Sequence, residues 1–490
     1  MTELDIKTKY HEPVLRENID VCIIGSGAGG SAVAHTLTNK GKSVVILEAG
    51  NYYPEEYVTA QSREDVLLNL WKNHGVFLAN DFSLNVSQGQ CVGGSTMINY
   101  GICFRIPPRV LQKWRDDYGI TLSDEEINQA YEKVEDVYGV TGIQQEGRSH
   151  TVLQDGCNDL QYSHGWMQKA LRGDKKQNAL ITFLEHSKKD KLEIFANCKA
   201  ESVTKDGDKI ISVKGVATDP DTKIKHNVEV FAEKIVLAAG PIASSEFLLK
   251  NNLSNGNKKV GERCSLHPSS SVVAEFPFQI NGQDSSVMAY YCDEFSIMQK
   301  PNFGFIIESI FVAPSQFSLI MPSFGMENLR HVKNYHKVAM AGVLVHDDSV
   351  GKIKLNKNKD ATLDYTLNKD DQEKMVKGLR EAVRIYLRAG ANKVITGHIN
   401  ETIIECEDEI ESKIPDDSAG QAKLLVLSAH PQGGNIMGEN EKESVVNSYC
   451  KSHEIDNLYV CDASVFPTSV GVNPQLTVLM LATVASENMY

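Results

Sequence analysis

Paired cysteines are missing from this sequence. Ten cysteines stand at positions 22, 91, 103, 157, 198, 264, 292, 406, 450 and 461, and none forms a CxxC or CxxxxC pair. That spacing excludes a zinc ribbon and a redox dithiol, and leaves reduced thiols of the cytosolic kind. No metal site is expected. Long apolar runs are also missing. The longest fall well short of the ~20 residues that a spanning helix needs. The opening stretch, MTELDIKTKYHEPVLRENID, is polar and has no apolar core of a secretory leader. Positive charge is in deficit: 50 Lys and Arg face 64 Asp and Glu, a net charge of −14. Such a field repels phosphate backbones and anionic bilayers, which argues against nucleic acid or a membrane surface as the main partner. Repeats and low-complexity tracts are absent. What remains is an ordinary globular composition, 41% apolar over 490 residues. It is enough for two or three domains of a soluble, cytoplasmic protein.

What is present begins at residue 20. DVCII reads as a buried strand, GSGAGG follows at once, a small-residue helix runs to Lys40-Gly41, and KSVVILEAG is the next strand. In this strand–turn–helix context the glycines at 25, 27 and 30, with Ser26 and Ala28 between them, form a dinucleotide turn. Gly25 makes the turn, Gly27 lets the backbone approach a pyrophosphate, and Gly30 lets helix and strand pack closely. The free N–H groups of the helix start face negative phosphates. Glu48 ends the second strand, where a carboxylate can accept both hydroxyls of an adenosine ribose.

Further along, residues 107–195 read as mainly helical. Residues 270–365 carry alternating strands, GKIKLN and ATLDYTL among them, that predict an antiparallel sheet. A helix over 369–389 is predicted, capped by Asp370 or Asp371. Met375, Leu379, Val383 and Tyr386 line its buried face. Near the C-terminus, 458-LYVCDASVFPTSVGVNPQLT-477 runs strand, acidic turn, glycine turn and helix. Asp462 and Ala463 sit where their own or neighbouring backbone groups can reach a pyrophosphate or ribityl chain. The helix is expected to begin at Asn473-Pro474, and its positive end would stabilise charge on a reduced flavin ring.

Four stretches, taken in order, resemble one family, the glucose–methanol–choline (GMC) oxidoreductases. They are GSGAGG with Glu48-Ala49-Gly50; 92-VGGSTMINYGICFR-105; 239-AGPIASSEFLL-249; and 428-SAHPQGGNIMG-438 with 462-DASVFPTSVGVNPQLT-477. The ending is most similar to the cholesterol-oxidase-like and long-chain alcohol oxidase members. The resemblance implies an α/β fold with an α+β substrate part. A Rossmann-like FAD domain would be built from 15–50, 85–105, 190–265 and 430–490. It would be interleaved with a substrate domain from 51–84, 106–189 and 266–429. The resemblance also places Gly93 and Gly94 along the flavin, Asn99 near the ring, the Val203 backbone at adenine, and Gly240 against the adenosine half. Some members attach FAD through a histidine at the place held here by Ile98, so noncovalent FAD is implied.

Oxidising an alcohol moves a hydride to flavin N5 and a proton to a base. Imidazole suits the second task, because its ordinary pKa lies near neutrality. His430 is expected to be that acceptor. Pro431 biases its backbone to an extended form, and Gly433 and Gly434 allow close approach to cofactor or substrate. Asn473 can hold the same oxygen. The resemblance assigns the same pair. A non-redox FAD-containing lyase of the same family is the alternative. His267 is expected to be structural, and His346-Asp347-Asp348 a hairpin turn. Apolar residues in 70–82, 102–105 and 303–317 favour a lipophilic alcohol over a sugar. Oxygen, a quinone and a protein carrier all stay open as the electron acceptor.

Overall fold

The computed structural model describes residues 4–60, 63–143, 147–297, 299, 304–420 and 423–490. Phe303 of the apolar stretch at 303–317 lies outside them. Val21 to Ile24 are buried, and a strand buried on both faces belongs in the middle of a parallel sheet. The strand Val14–Ile24 accordingly pairs in parallel with Val44–Leu47 on one side and Lys225–Leu237 on the other. Leu192–Phe195 and then Asp5–Lys7 extend the parallel set. Lys209–Thr218 and Cys198–Asp206 continue it antiparallel past Lys225–Leu237. Leu458–Val460 returns from the far end of the chain to pair in parallel with Ile235–Leu237. The helix Ala28–Asn39 packs against the terminal helix Gln475–Glu487. Every residue of the latter from Leu476 to Ser486 is buried, as a helix apolar on all sides must be.

A second, antiparallel sheet runs in the order Ile403–Ile404, Lys393–Thr396, Ser269–Glu275, Val338–Val345, Phe305–Ile310, Tyr290–Cys292, His164–Trp166. One face is covered by the helix Lys369–Arg388, whose Met375, Leu379, Val383 and Tyr386 share a core with Phe305 and Val343. The cap of this helix is Asn368, not Asp370 or Asp371. The Asn368 Oδ1 accepts from the Asp371 N–H at 2.8 Å, because only the residue just before the helix has the extended backbone that a cap requires. Asp371 points inward instead and accepts from the Ser349 N–H at 2.7 Å and Lys374 Nζ at 2.7 Å.

Three further expectations differ from the structure. GKIKL and ATLD are not in the large antiparallel sheet; they form a separate small sheet with Glu262–Ser265 and Gln432–Gly434. Residues 346–348 are not a hairpin turn, because the strands on either side belong to different sheets. Asp347 is a buried brace there. It accepts from the backbone N–H of Leu266 (2.8 Å) and His267 (3.1 Å) and from the Tyr365 hydroxyl (2.7 Å). Finally, 107–195 is helical over Pro108–Tyr118, Asp124–Tyr138 and Arg148–Leu160, and then turns to short strands at His164–Trp166 and Gln168–Arg172. Strands of three to five residues are too short to show a period.

Candidate functional site

A cavity of about 1010 Å³ is lined both by the parallel sheet's C-terminal turns and by the uncovered face of the antiparallel sheet. At one end the wall is Gly25, Gly27, Ala28 and Gly29, with Glu48, Lys199, Ala200, Glu201, Gly240, Asp462 and Ala463. Close packing dictates the glycines. A Cβ on Gly29 would lie 1.6 Å from the Cys461 carbonyl oxygen, and one on Gly94 would lie 2.7 Å from the Gly27 Cα. Gly29 falls outside the GxGxxG signature, so its contact with the returning C-terminal segment had no sequence signal. The start of the helix Ala28–Asn39 carries no side-chain cap. Its first N–H groups are therefore left for another acceptor.

The carboxylates at this end are partly used by the protein itself. Glu48 is 6% exposed. Its Oε2 accepts from the Ser26 N–H (2.9 Å) and hydroxyl (2.7 Å), and its Oε1 from the Gly50 N–H (2.8 Å). Burial pushes its pKa up, against those hydrogen bonds. A carboxylate has about four acceptor sites and three are taken here, so one, on Oε1, remains for a ligand hydroxyl rather than the two expected. Asp462 accepts from the Gly240 N–H at 2.9 Å, the Ser464 N–H at 2.8 Å and the Ser244 hydroxyl. It fixes the turn at Gly240, which leaves neighbouring backbone to meet a ligand.

Not every expected residue reaches the cavity. Ser26, Gly30, Gly93 and Val203 do not line it. Ser26 works behind the wall, where its hydroxyl also accepts from the Gly93 N–H at 3.1 Å and ties the glycine turn to the 93–94 loop. Val203 is placed away from the cavity, and Lys199–Glu201 of the same strand line it. A register shift between Ala200 and Ser202 re-aims that strand. Gly433 and Gly434 are also absent from the lining. They approach protein, and a Cβ on Gly433 would lie 2.1 Å from the Arg263 carbonyl oxygen.

Gly94, Ile98 and Asn99 form one flank. The Asn99 amide donates to Gln475 Oε1 at 2.6 Å, which braces the loop against the terminal helix. The helix begins at Gln475, one turn residue later than expected, and its first internal bond runs from the Val478 N–H to the Pro474 carbonyl at 3.0 Å. Lys176 was not foreseen. Its ammonium donates to the carbonyls of Thr96 (2.9 Å), Met97 (3.2 Å) and Asn99 (2.6 Å) and so pins this flank from behind. Burial lowers its pKa to about 7.

The other end of the cavity brings His430, Asn473, His267 and Glu308 together with Ile310, Leu344 and Met288. Burial lowers the His430 pKa to about 4. His267 is fully buried, and its Nε2 accepts from the Gly471 N–H at 2.8 Å. The proton of neutral His267 is therefore on Nδ1, which faces the His430 Nδ1 at 3.4 Å. Glu308 is another residue without sequence signal. It is 5% exposed on the strand Phe305–Ile310 and accepts from the Asn473 side chain. Burial raises its pKa to about 7, against that hydrogen bond. Its Oε1 and the Asn473 Oδ1 are buried without a partner. Two bare acceptors beside an imidazole suit a ligand that brings a hydroxyl. Of the apolar stretches, Trp71, Ile102 and Ile310 reach the wall, whereas Phe305 and Ile307 are core on the other face of the sheet.

Known proteins bear on this site. Residues 22–269 and 347–482 match the N- and C-terminal parts of the GMC oxidoreductase family. A long-chain-alcohol oxidase of Arabidopsis thaliana is 29% identical over 511 residues, covering 96% of this chain and 67% of that protein. The fold matches pyridoxine 4-oxidase from Mesorbium loti with a TM-score of 0.74 at 16% identity, covering 96% of this chain and 99% of the other. It also matches an Aspergillus oryzae RIB40 formate oxidase, studied for its FAD modification. The TM-score there is 0.74 at 15% identity, with 98% of each chain covered.

Proposed function

Because this chain belongs to the GMC oxidoreductase family, we propose that it oxidises the CH–OH group of a lipophilic alcohol with noncovalently held FAD. The observation that carries this is the His430–Asn473–Glu308 cluster, set at one end of a cavity whose other end offers Glu48 and a glycine turn. The residues fit the dinucleotide. Glu48 keeps one acceptor site, on Oε1, for a ribose hydroxyl, two uncapped helix starts and the Gly240 and Ala463 backbone suit a pyrophosphate, and Gly27 and Gly94 put no side chain on the wall. When bound, FAD supplies the acceptor for the carbinol hydride. Ile98, on the flank of the cavity, has no atom able to form a covalent link.

The protein's own part is to hold the hydroxyl and take its proton. Asn473 has a second amide hydrogen and a bare Oδ1 for the substrate oxygen and its proton. In the first reading His430 is the proton acceptor, which requires its Nε2 to be unprotonated. Its contact with His267 favours a second reading. The Nδ1–H of His267 makes the His430 Nδ1 an acceptor, so neutral His430 carries its proton on Nε2 and donates to the alcohol oxygen. Glu308, with a pKa near 7, is then the acceptor, and is better matched to neutral pH than an imidazole near 4. Met288, Ile310 and Leu344 leave little to recognise a polyol, and the long-chain-alcohol oxidase relative points the same way.

Anaerobic stopped-flow reduction of the flavin by alcohols of increasing chain length tests this. The rate should rise with chain length and exceed that for glucose or choline. A flavin that no alcohol bleaches would favour the lyase chemistry instead. His430→Ala should bind FAD normally and reduce ~10²–10⁴-fold more slowly. The pH profile separates the two acceptors. An acid limb near 7 that vanishes in Glu308→Gln assigns the proton to Glu308; one near 4 that survives assigns it to His430.

A further inference from the structure

Between the strands Phe305–Ile310 and Val338–Val345 the chain leaves the antiparallel sheet as a helical hairpin, Pro314–Ile320 and Gly325–Lys333. Its inner side is satisfied. Phe317, Met321 and Tyr335 pack with Phe311, Val338 and Met340. Asn328 staples the two helices: it accepts from the Ser318 hydroxyl at 2.7 Å and donates to the carbonyls of Ser318 (2.8 Å) and Ser323 (3.0 Å).

The outer side is covered by none of the described residues. Leu319 is 80% exposed, Phe324 89%, Met326 66% and Leu329 43%. One exposed leucine needs no explanation, but four large apolar side chains on one small hairpin do. Met326, Leu329, Arg330 and Lys333 are spaced i, i+3, i+4 and i+7 and form one stripe of exposed residues. The stripe is graded. Phe324 and Met326 stand at the hairpin tip, and Lys333 lies ~10 Å further along the helix at 1.5 Å per residue. Glu327 is the one acidic residue between 319 and 337, against Arg330, Lys333 and Lys337, in a chain with a net charge of −14.

We infer that this hairpin docks on an anionic phospholipid bilayer. Leu319, Phe324, Met326 and Leu329 enter the boundary of the acyl region, and Arg330 and Lys333 sit among the headgroups. Apolar insertion of ~5–10 Å with cations above it is the pattern of a peripheral surface helix. The same grading argues for a layered bilayer as the occupant. The net negative charge suggested avoidance of such membranes, but net charge averages over a surface on which this patch is cationic. The hairpin is spliced between the two strands whose Glu308, Ile310 and Leu344 line the cavity. The docking itself is independent of the reaction proposed above.

Flotation of the flavin-loaded protein with vesicles tests the inference without any turnover. The protein should float with phosphatidylcholine–phosphatidylserine vesicles, much less with phosphatidylcholine alone, and less at high salt. The pair Leu319→Ser and Phe324→Ser should abolish flotation. Arg330→Glu and Lys333→Glu should each weaken it by roughly 5-fold or more. These side chains are exposed, so circular dichroism and flavin content should match wild type. Wild-type protein that stays unbound, or variants that float as wild type does, would overturn the inference. So would a concentration-dependent dimer in sedimentation that the same apolar pair disrupts, because the occupant would then be a second copy of the chain.

Discussion

Glu308 sits in FGFIIESIF, where a single acid in an alternating strand reads as an edge or solvent-facing position. Only the structure turns it inward beside Asn473. His430 and Asn473 were legible because a histidine before proline and an asparagine at a helix start recur together in one family pattern. His267 reads from sequence only as structural, because its partner Gly471 is two hundred residues away. The inward turn has a measurable cost. Glu308 has a folded pKa near 7, above the usual carboxylate value, so between about pH 4.5 and 7 the folded protein binds more protons than the unfolded chain. Stability therefore falls as pH rises through that window. Glu308→Gln should remove the fall, with a gain relative to wild type that grows to at most about 3 kcal/mol above pH 7. Urea denaturation at pH 5 and pH 8 measures it; an equal difference at both would contradict the buried carboxyl. Ile98 carries a prediction of the same grain. Acid precipitation should leave yellow, intact FAD in the supernatant, and flavin retained in the pellet would show a covalent link through another residue.

The loop Gly94–Asn99 is an element held in place by distant side chains, Gln475 on one side and Lys176 on the other. Its carbonyls at 96, 97 and 99 converge on the Lys176 ammonium. In sequence, Lys175-Lys176 looks like a surface pair, and nothing local distinguishes the buried member. Lys176→Met would leave three inward carbonyls without their donor, at about 1–3 kcal/mol for each one water fails to reach. The variant should unfold at lower urea and release flavin several-fold more readily in dilution experiments, while Lys175→Met does neither. Elements with strong periods were legible at this scale: the βαβ start, the strand pattern of the antiparallel sheet, and the helix over 369–388. The small sheet around Glu262–Ser265 was not, because its strands of three to five residues are assembled from three separate parts of the chain. Gln432–Gly434 pairs there across some 170 positions, a partnership that no window of sequence contains.

At the scale of the whole molecule, the strand Lys225–Leu237 has partners from both ends of the chain. Val14–Ile24 pairs along one edge, and Leu458–Val460 joins at its C-terminal end. The terminal helix that follows seats itself on the first one. Long-range closures of this kind are slow to form. They also impose a timetable during synthesis. At ~5–20 residues per second, roughly 20–90 seconds separate the emergence of the glycine turn from that of the segment that closes over it. Until then the first helix has no Cys461 carbonyl to pack against, and Asp462 is not there to set the turn at Gly240. The flavin pocket is thus finished only after the strand Leu458–Val460 and the helix behind it have been made. Nascent chains halted before residue 458 should carry no flavin, however long they wait.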